Sequence, residues 1–413
     1  MRAAILGLRP AVVNAAHLPC GCRPRIMRRA KPEEVAMLHR KLSRREFGRS
    51  VGAAFGAFVL GPRLAEAARR PRGVPENVIQ LNSNENPYGP SPRALEAMTE
   101  AQQVAARYPD ALEDIVVEAI AKLHGVQPEN VILGCGSGEI LRMADLAFLA
   151  PEKNLVVAEP TFEAVLSYAE VTRARPVKIP LTADHRHDLV RMAAACNENT
   201  GLVYLCNPNN PTGTIVTREE METFFARVPR TAILLVDEAY HHFVEDPRYA
   251  SAFAWWGRIP NLVIVRTFSK IYGMAGMRLG YAVASREHIA ALRRHRLFNN
   301  TNAAVLQAAL ASLEDTGHVE RHRKLNNDTR RWLCAELERD GRRYIPSETN
   351  FVMVHVGQDV TPVIAAFRQR HILVGRKFPS LPDWLRVSIG TRKEMEAFLA
   401  ALREIVPARA AAA

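Results

Sequence analysis

The 413-residue sequence predicts an α/β protein with a three-layer α/β/α large domain, built around a mostly parallel sheet, and a smaller C-terminal α/β domain. Three observations support this prediction. Short apolar runs recur between residues 131 and 284, helix-prone segments separate several of these runs, and polar motifs follow their ends. Strands buried on both faces of a parallel sheet form continuous apolar runs, and their parallel connections require crossovers that are usually helical.

The predicted elements alternate along the chain. Amphipathic patterns predict crossover helices at residues 139–149, 162–173 and 218–228. The predicted strands of the large sheet are VIL (131–133), LVVA (155–158), LVYL (202–205), AILLV (232–236), LVIV (262–265) and LGYAVA (279–284). A helix-prone, charged tract at residues 298–340 is followed by the strand-like runs TNFVMV, HILVGR and WLRVSIG, which predict the smaller domain.

The domain boundaries follow from these patterns. Residues 68–104 are predicted to be an N-terminal arm or linker, residues 105–300 the large domain and residues 301–413 the small domain. The segment LNSNENPYGPSP at residues 81–92 cannot be a helix interior, because its three prolines remove amide donors and hold the chain extended. We therefore expect an arm or an ordered loop there.

Residues 1–67 are predicted to be a leader with a signal peptide. Residues 43–49 read SRREFGR, and the apolar stretch VGAAFGAFVLGP and an Ala-Glu-Ala cleavage pattern follow. A basic segment, an apolar run and small residues in this order define a signal peptide, and the paired Arg44 and Arg45 resemble a bacterial twin-arginine signal. The pattern is complete from Met37 onward, so Met37 is expected to be the true start.

This leader predicts a location. A twin-arginine signal implies export of the folded protein, so we expect a periplasmic enzyme with the twin-arginine export machinery as a partner, or a cytoplasmic one if the signal is not used. The apolar run at residues 51–60 is too short to span a hydrocarbon core, so no permanent membrane span is predicted. A solvated basic tail with an amphipathic helix is the alternative interpretation.

Composition argues against nucleic acid and against a metal centre. Residues 1–73 hold 16 Lys and Arg against four Glu, which accounts for the formal charge of +12 and leaves 39 basic and 39 acidic residues in 74–413. Nucleic-acid binding by the folded body therefore loses its compositional support. The six cysteines lack the spacing of a metal site, and no metal is predicted.

The segment VRTFSKIYGMAGMRLGY at residues 265–281 brings an amine, hydroxyls and a guanidinium to one strand end. Thr267, Ser269 and Lys270 end the strand, and Arg278 follows in the next loop. Arginine and hydroxyl groups suit a phosphate dianion, because the guanidinium forms charge-assisted hydrogen bonds. A nearby lysine can form a Schiff base with an aldehyde when its surroundings favour the neutral amine.

An acidic residue ends the predicted strand AILLV. Asp237 and Tyr240 follow this strand. Burial of a carboxylate is costly unless a cation meets it, and a protonated pyridine nitrogen is such a cation. The alternative is an aspartate that caps the next helix. Its neighbour Glu238 is expected to face the other way.

Two loops supply further polar groups. In NPNNPTG at residues 207–213, Asn210 precedes a rigid turn and can donate its amide to a phenolate oxygen. In GCGSGEI, Gly136 and Ser137 precede a helix whose first amides suit a phosphate. The glycine spacing is that of neither a Walker loop nor a dinucleotide fingerprint, and a simple tight turn is the alternative.

Together these motifs resemble the fold-type I aminotransferases of classes I and II, and most closely their histidinol-phosphate aminotransferase branch. The match runs from about Leu81 to Thr391, with motifs in the family's order: LNSNENPYGPSP, RYPD, GCGSGEI, EPTFEAV, NPNNPTG, VDEAY, TFSKIYGMAGMRLGY, TNFVMV and LRVSIGT. The resemblance implies that the large domain binds pyridoxal 5′-phosphate. One departure is Gly138, where the branch commonly has an acid, and this bears on substrate choice.

The resemblance implies a role for each candidate residue around the cofactor. Lys270 would form the Schiff base and move the proton between the substrate α-carbon and the cofactor. Asp237 would pair with the pyridinium nitrogen, Asn210 and Tyr240 would bind the ring hydroxyl, and Phe162 would stack on the ring. The implied phosphate ligands are Gly136, Ser137, Thr267, Ser269 and Arg278.

Two further residues are implied to act on the substrate and across subunits. Arg386 would bind the substrate α-carboxylate bidentately, and Tyr88 would reach the cofactor phosphate of a neighbouring subunit. A homodimer with shared active sites is therefore expected. The alternatives are core packing for Phe162, a surface ion pair for Arg386 and a loop position within its own subunit for Tyr88.

The sequence thus predicts an aminotransferase that moves an amino group between an amino acid, or an amino-alcohol phosphate such as histidinol phosphate, and a 2-oxo acid. A lyase or decarboxylase on the same fold is the alternative, because substrate orientation selects the bond that breaks. A non-catalytic cofactor-dependent protein is a third hypothesis, disfavoured by the complete set of catalytic residues. Export would separate the enzyme from cytoplasmic histidine biosynthesis, which makes histidinol phosphate a less natural substrate.

Overall fold

Strands and helices alternate through most of the folded chain. The computed structural model describes residues 77–407, so the predicted leader lies outside the described residues. The strands are β1 (Ile79–Leu81), β2 (Val131–Gly134), β3 (Asn154–Glu159), β4 (Arg175–Pro180), β5 (Thr200–Cys206), β6 (Ile233–Asp237), β7 (Leu262–Thr267), β8 (Gly280–Ala284), β9 (Tyr344–Ile345), β10 (Phe351–His355), β11 (Ile372–Val374) and β12 (Trp384–Ser388).

The helices of the described residues cover the sheets and connect their strands. They are α1 (Pro92–Glu100), α2 (Asp110–His124), α3 (Ser137–Phe148), α4 (Ala164–Thr172), α5 (Leu189–Ala195), α6 (Arg218–Arg227), α7 (Arg286–Arg293), α8 (Ala303–Glu314), α9 (Thr316–Arg339), α10 (Val360–Gln369) and α11 (Arg392–Ile405). No helix in this part of the chain combines the length and the apolar character that a membrane span requires.

The main sheet has the strand order β2-β8-β7-β6-β5-β3-β4. Strand β8 runs antiparallel to both of its neighbours, and the other strands are parallel to one another. The mostly parallel sheet is confirmed, and each of the six predicted apolar runs forms a strand. The sequence prediction lacks β4, a largely exposed edge strand in which Pro176 and Pro180 have no amide to donate.

Both faces of the main sheet are covered. Alternate strand residues point to opposite faces, so in β5 Leu202 and Tyr204 pack with α3, α4 and α7, whereas Val203 and Leu205 pack with α5 and α6. The sheet is therefore the middle layer of three, and the predicted α/β/α architecture is confirmed.

The C-terminal part has a sheet of its own. Strands β12, β10 and β9 pair antiparallel, and α9, α10 and α11 pack on them through Leu333, Phe367 and Phe398. The helix-prone tract at residues 298–340 forms two helices, α8 and α9, and the side chain of Asp315 between them caps α9. The domain boundary predicted at residue 300 falls in the loop between α7 and α8 and stays a prediction.

The proline-rich arm is an irregular loop at residues 82–91 that includes a turn, with Gly89 N donating to Asn86 O at 3.2 Å, and regular elements flank it. Strand β1 precedes the loop and pairs in parallel with β11, so the arm is attached to the C-terminal part. Helix α1 follows it: Ser91 Oγ accepts the Ala94 amide at 3.1 Å, and Pro92 takes the first helical position, where a proline sacrifices no hydrogen bond. The arm therefore runs from a strand that pairs with the C-terminal part to the first helix of the described chain.

Strands β5, β6 and β7 end side by side at one edge of the main sheet. The loops that carry the polar motifs leave from this edge. Ligands of open α/β sheets bind beyond the carboxyl ends of such strands, so the fold places the candidate residues where a site is expected.

Glu238 points away from this edge and forms a buried ion pair. Its carboxylate accepts hydrogen bonds from Arg266 Nε and Nη2 at 3.0 and 2.8 Å, from Ser251 Oγ at 2.8 Å and from the Ala252 amide at 2.6 Å. Removal of one partner leaves the other charge buried and uncompensated. We therefore expect Glu238→Gln to lower the free energy of unfolding by about 3–5 kcal/mol, measured by urea denaturation.

The matched control for this prediction is Glu159→Gln. Glu159 pairs with Lys178 at 2.9 Å, with both side chains about 40% exposed (40% and 42%). Exposed pairs contribute about 0–1 kcal/mol, so the control variant should unfold almost like the unchanged protein. Equal losses for the two variants would contradict the assigned importance of the buried pair.

Candidate active site

A cavity of about 370 Å³ opens at the carboxyl edge of the main sheet. Side chains from the arm, from three strand ends, from the start of α3 and from the C-terminal part line it. The predicted site residues among them are Ser137, Phe162, Asn210, Asp237, Tyr240, Thr267, Ser269, Lys270, Arg278 and Arg386. Motifs that are far apart in the sequence therefore meet in one place.

Lys270 follows β7 and places its amine in the cavity. Its Nζ donates to the backbone oxygens of Ser83 and Asn84 at 3.3 and 3.1 Å. Burial lowers the pKa of this amine to about 8, and the charge of Arg386 also lowers it, against the opposing charge of Glu85. The neutral, nucleophilic form is therefore accessible near neutral pH.

Asp237 ends β6, and only 3% of its surface is exposed. Its Oδ2 accepts the Tyr204 hydroxyl at 3.0 Å, and its Oδ1 accepts the Ala239 amide at 3.0 Å. Burial raises the pKa of the carboxyl to about 6, against the lowering effect of the Tyr204 hydrogen bond. The next helix is a short one that begins at His241, and no side chain caps it. The alternative that Asp237 caps this helix is therefore wrong.

Hydrogen bonds in the cavity wall orient Tyr240 and Asn210. Ser388 Oγ accepts a hydrogen bond from the backbone amide of Asn84 at 2.8 Å and donates one to Asn84 Oδ1 at 3.1 Å. These bonds orient the Asn84 side chain so that its Nδ2 donates to the Tyr240 hydroxyl at 3.1 Å. The hydroxyl proton of Tyr240 can then be donated elsewhere. Asn210 Oδ1 accepts from Arg386 Nη1 at 2.7 Å, which leaves its Nδ2 as a donor. Both side chains suit an acceptor such as a phenolate oxygen.

Hydroxyl, amide and guanidinium groups form an anion cradle beside the start of α3. Ser269 Oγ accepts hydrogen bonds from Thr267 Oγ1 at 2.9 Å and from Arg278 Nη1 at 3.4 Å. Ser137 is the first residue of α3, where backbone amides lack intrahelical acceptors and favour anions. Gly136 has φ 77°, and a Cβ there would lie 2.0 Å from Arg278 Nη2. The absence of a side chain at Gly136 thus allows the Arg278 guanidinium to lie close to the backbone at the start of α3.

Arg386 lies on β12 and is 8% exposed. Its Nη2 donates to the Asn82 backbone oxygen at 2.9 Å, and its Nε is buried with no hydrogen-bond partner in the part of the chain that the structure describes. Within residues 77–407 its guanidinium bonds to neutral oxygens of Asn210 and Asn82 and to no carboxylate. A buried, unpaired cation is unfavourable, so the surface-pair alternative is wrong and the position suits an anionic ligand.

Phe162 and Tyr88 are the more exposed candidates. Phe162 lines the cavity with 37% of its surface exposed, which rules out simple core packing. Tyr88 does not line the cavity of its own chain; its ring lies against His322, with ring centroids 5.3 Å apart. Its implied contact with a neighbouring subunit stays a prediction.

Sequence reasoning did not single out several residues of the cavity wall: Ser83, Asn84, Glu85, Thr161, Cys206, Arg376 and Phe378. The first three belong to the motif LNSNENP, so the family motif could have pointed to them. The loop between β11 and β12 that carries Arg376 has no local signal, because tertiary packing alone brings it to the cavity. Tyr204 lies behind the cavity wall, and its place in the apolar run 202–205 indicated a buried strand residue and no further role.

The groups present fit the phosphorylated pyridine aldehyde that the sequence predicts. The buried carboxylate of Asp237 lacks an ion-pair partner among the described residues and suits a protonated ring nitrogen, whereas Lys270 suits the aldehyde. The two oriented donors suit the phenolate oxygen, and the cradle suits the phosphate. When bound, pyridoxal phosphate supplies an electrophilic carbon and an electron-withdrawing ring.

The low pKa of Lys270 predicts how the cofactor-free protein captures pyridoxal phosphate. Because the neutral amine reacts, the capture rate should rise about tenfold per pH unit below pH 8 and level off above it. Stopped-flow absorbance measures this profile. Arg386→Ala removes a cation that lowers the pKa, so the midpoint should move to higher pH. A midpoint near the ordinary lysine value of 10.5 would contradict the prediction.

Comparisons with known proteins show the family to which the chain belongs. Residues 76–402 match the family model of aminotransferase class I and II. The histidinol-phosphate aminotransferase of Moorella thermoacetica is 42% identical over 83% of this chain and 88% of its own length. Histidinol-phosphate aminotransferase 2 of Ralstonia nicotianae is 38% identical over 89% of this chain and 99% of its own.

A solved structure extends the comparison to the fold and the cofactor. The histidinol-phosphate aminotransferase of Sinorhizobium meliloti, in complex with pyridoxal-5′-phosphate, has a TM-score of 0.75 and 27% identity, covering 81% of this chain and 92% of that chain. The predicted fold and cofactor are thereby confirmed. Because the family model spans the strands, the low-pKa lysine, the buried carboxylate and the anion cradle, the chain belongs to the class I and II aminotransferases and uses pyridoxal 5′-phosphate.

Proposed function

We propose that the enzyme moves an amino group between an amino acid and a 2-oxo acid while Arg386 holds the α-carboxylate. The buried guanidinium with an unsatisfied Nε, in a cavity shared with Lys270, supports this proposal. A carboxylate that stays bound in both half-reactions favours transamination over decarboxylation. Lys270 takes the proton from the substrate α-carbon and delivers it to the cofactor carbon C4′.

A donor screen on the cofactor-loaded protein tests this proposal. Each amino acid is added without a 2-oxo acid, and the absorbance of the bound cofactor is followed. A transamination donor converts the cofactor to pyridoxamine phosphate and yields one equivalent of 2-oxo acid. Release of CO₂ and an amine without pyridoxamine phosphate would instead support the decarboxylase alternative on the same fold.

Histidinol phosphate belongs in this screen because the histidinol-phosphate aminotransferase of Moorella thermoacetica is 42% identical to this chain. One feature of the cavity argues for another substrate. A Cβ at Gly138 would have only the Tyr168 hydroxyl within 4 Å, at 3.7 Å, so local packing does not require glycine there. Glycine instead leaves room beside the cradle, at a position where the histidinol-phosphate aminotransferase branch commonly has an acidic residue. A donor preference for amino acids over histidinol phosphate is the expected result.

Arg386→Lys tests the role of the guanidinium. Lysine keeps the charge but cannot bind a carboxylate bidentately, so we expect KM for amino acids and 2-oxo acids to rise about 10–100-fold. Steady-state kinetics with both substrates measure the change. The control is Arg370→Lys, at an exposed pair with Glu404. Unchanged KM values in Arg386→Lys would contradict carboxylate binding by this residue.

A homodimer in which Tyr88 serves the partner subunit completes the proposal. Tyr88 is 36% exposed and does not line the cavity of its own chain, which supports a role elsewhere. Hybrids of Lys270→Ala chains with Tyr88→Ala chains separate the possibilities. If Tyr88 acts across subunits, the hybrid has one intact site and regains activity. If Tyr88 acts within its own subunit, the hybrid stays as inactive as the parents.

We further propose export to the periplasm by the twin-arginine route, on the strength of the signal pattern at residues 43–67. Fractionation of cells that express the full chain tests this proposal. Replacement of Arg44 and Arg45 by lysine should retain the protein in the cytoplasm with its activity intact. Unchanged periplasmic yield of this variant would contradict twin-arginine export.

A further inference from the structure

We propose that Tyr204 is a positioning residue for the cofactor, whose hydroxyl keeps the Asp237 carboxylate ionised and aimed at the pyridine nitrogen. Tyr204 is 0% exposed and lies in the core between the main sheet and its helices. A buried tyrosine hydroxyl requires a partner, and here the partner is Asp237 Oδ2 at 3.0 Å. The inference rests on the implied pairing of Asp237 with the ring nitrogen.

The register of the sheet explains why this contact forms. Strands β5 and β6 are parallel neighbours, with Cys206 opposite Asp237 and Tyr204 opposite Leu235. Tyr204 is therefore the diagonal neighbour of Asp237 on one face, at a distance that only a long side chain can bridge. Phenylalanine at position 204 would fill the same space in the core but could not donate a hydrogen bond.

The hydrogen bond acts on both the direction and the charge of the carboxylate. Tyr204 and the Ala239 amide occupy one lone pair on each oxygen, so the remaining lone pairs determine where a cation can bind. Of the effects that counter burial, the Tyr204 hydrogen bond lowers the pKa of Asp237 the most. Loss of the hydroxyl would therefore raise the pKa and leave more of the carboxyl protonated at neutral pH.

The other titratable groups around Asp237 do not replace this hydroxyl. Lys270 lowers the pKa of Asp237, but less than the Tyr204 hydrogen bond does, and Glu238 raises it. Burial raises the pKa of Cys206 and of Tyr240, so both remain uncharged. Tyr204 thus provides the main side-chain contact that stabilises the charged form of the carboxylate.

Binding of pyridoxamine phosphate to the cofactor-free protein tests the proposal. This ligand has no aldehyde to react with Lys270, so its affinity reports the non-covalent contacts. We expect Tyr204→Phe to bind it about tenfold more weakly near neutral pH, as measured by titration calorimetry. The loss of affinity on acidification should also begin about one pH unit higher than in the unchanged protein, because a neutral Asp237 cannot pair with the pyridinium.

Two further variants make the outcome decisive. Tyr281→Phe removes a buried hydroxyl of the same sheet that contacts His124 and lies outside the cavity, and it should bind like the unchanged protein. Asp237→Asn should bind weakly without the acid-dependent midpoint. If Asp237→Asn binds normally, the assumed nitrogen pairing fails. If Asp237→Asn is weak but Tyr204→Phe shows no shift in midpoint, or Tyr281→Phe matches Tyr204→Phe, the proposal for Tyr204 is overturned.

Discussion

Replacement of Lys270 by alanine is expected to abolish the covalent cofactor adduct and to lower turnover by at least about 10³-fold. Two functions are lost together. The amine, whose pKa is lowered to about 8, would attach the aldehyde, and the same amine would move the proton at the substrate α-carbon. The cradle, Asp237 and the oriented donors remain, so the variant should still bind pyridoxal phosphate non-covalently.

Borohydride reduction followed by mass spectrometry measures this effect. The unchanged protein should carry a reduced cofactor on the peptide that contains residue 270, and Lys270→Ala should carry none. Lys178→Ala, at an exposed ion pair, is the matched control and should behave as the unchanged protein. Partial recovery of Lys270→Ala turnover by added small amines would support the proton-transfer role. Turnover that survives the substitution without any amine would refute it.

Replacement of Asp237 by asparagine is expected to lower kcat by about 10²–10³-fold. The amide has nearly the same shape but no charge, so it cannot keep a ring nitrogen protonated, and carbanion charge at the α-carbon is stabilised less. The removal of the α-proton should then limit the rate. A larger kinetic isotope effect with α-deuterated amino acid, compared with the unchanged protein, is the signature to measure.

A cofactor analogue separates electrostatics from damage to the fold. N-methylated pyridoxal phosphate carries a permanent positive charge on the ring nitrogen, so it should restore part of the lost rate to Asp237→Asn. Asp246→Asn, at an exposed contact with Arg248, is the control and should show neither the rate loss nor the rescue. A variant that loses activity but gains nothing from the analogue would indicate that Asp237 acts through structure alone.

The sequence was sufficient for those parts of the fold whose signal is local. Apolar runs such as 202–205 and 262–265 are buried on both faces, so each strand is recognisable without knowledge of its neighbours. Strand β4 has no such signal, because an edge strand tolerates exposed charges and prolines. Likewise, the separation of α8 from α9 depends on Asp315, a single capping residue within a continuous helix-prone tract.

The site shows the same division between local and tertiary information. Lys270 and Asp237 stand in motifs with distinctive neighbours, and both line the cavity. Asn84 reaches Tyr240 only because the arm folds back over β12, and no pattern within one segment contains that contact. Tyr204 belongs to a run whose apolar character predicts burial alone. The hydrogen bond from its hydroxyl to Asp237 can be inferred only when β5 and β6 are known to be neighbours.

The parallel pairing of β1 with β11 has a consequence for biosynthesis. Ile79 lies opposite Ile372, so β1 cannot form its hydrogen bonds until β11, nearly 300 residues later in the chain, has left the ribosome. Closure of so long a loop is slow compared with local contacts. Asn82, three residues after Ile79, then accepts its hydrogen bond from Arg386. A nascent chain that stalls before β12 would thus contain Lys270 and Asp237 but lack Arg386, the residue that we propose binds the substrate carboxylate.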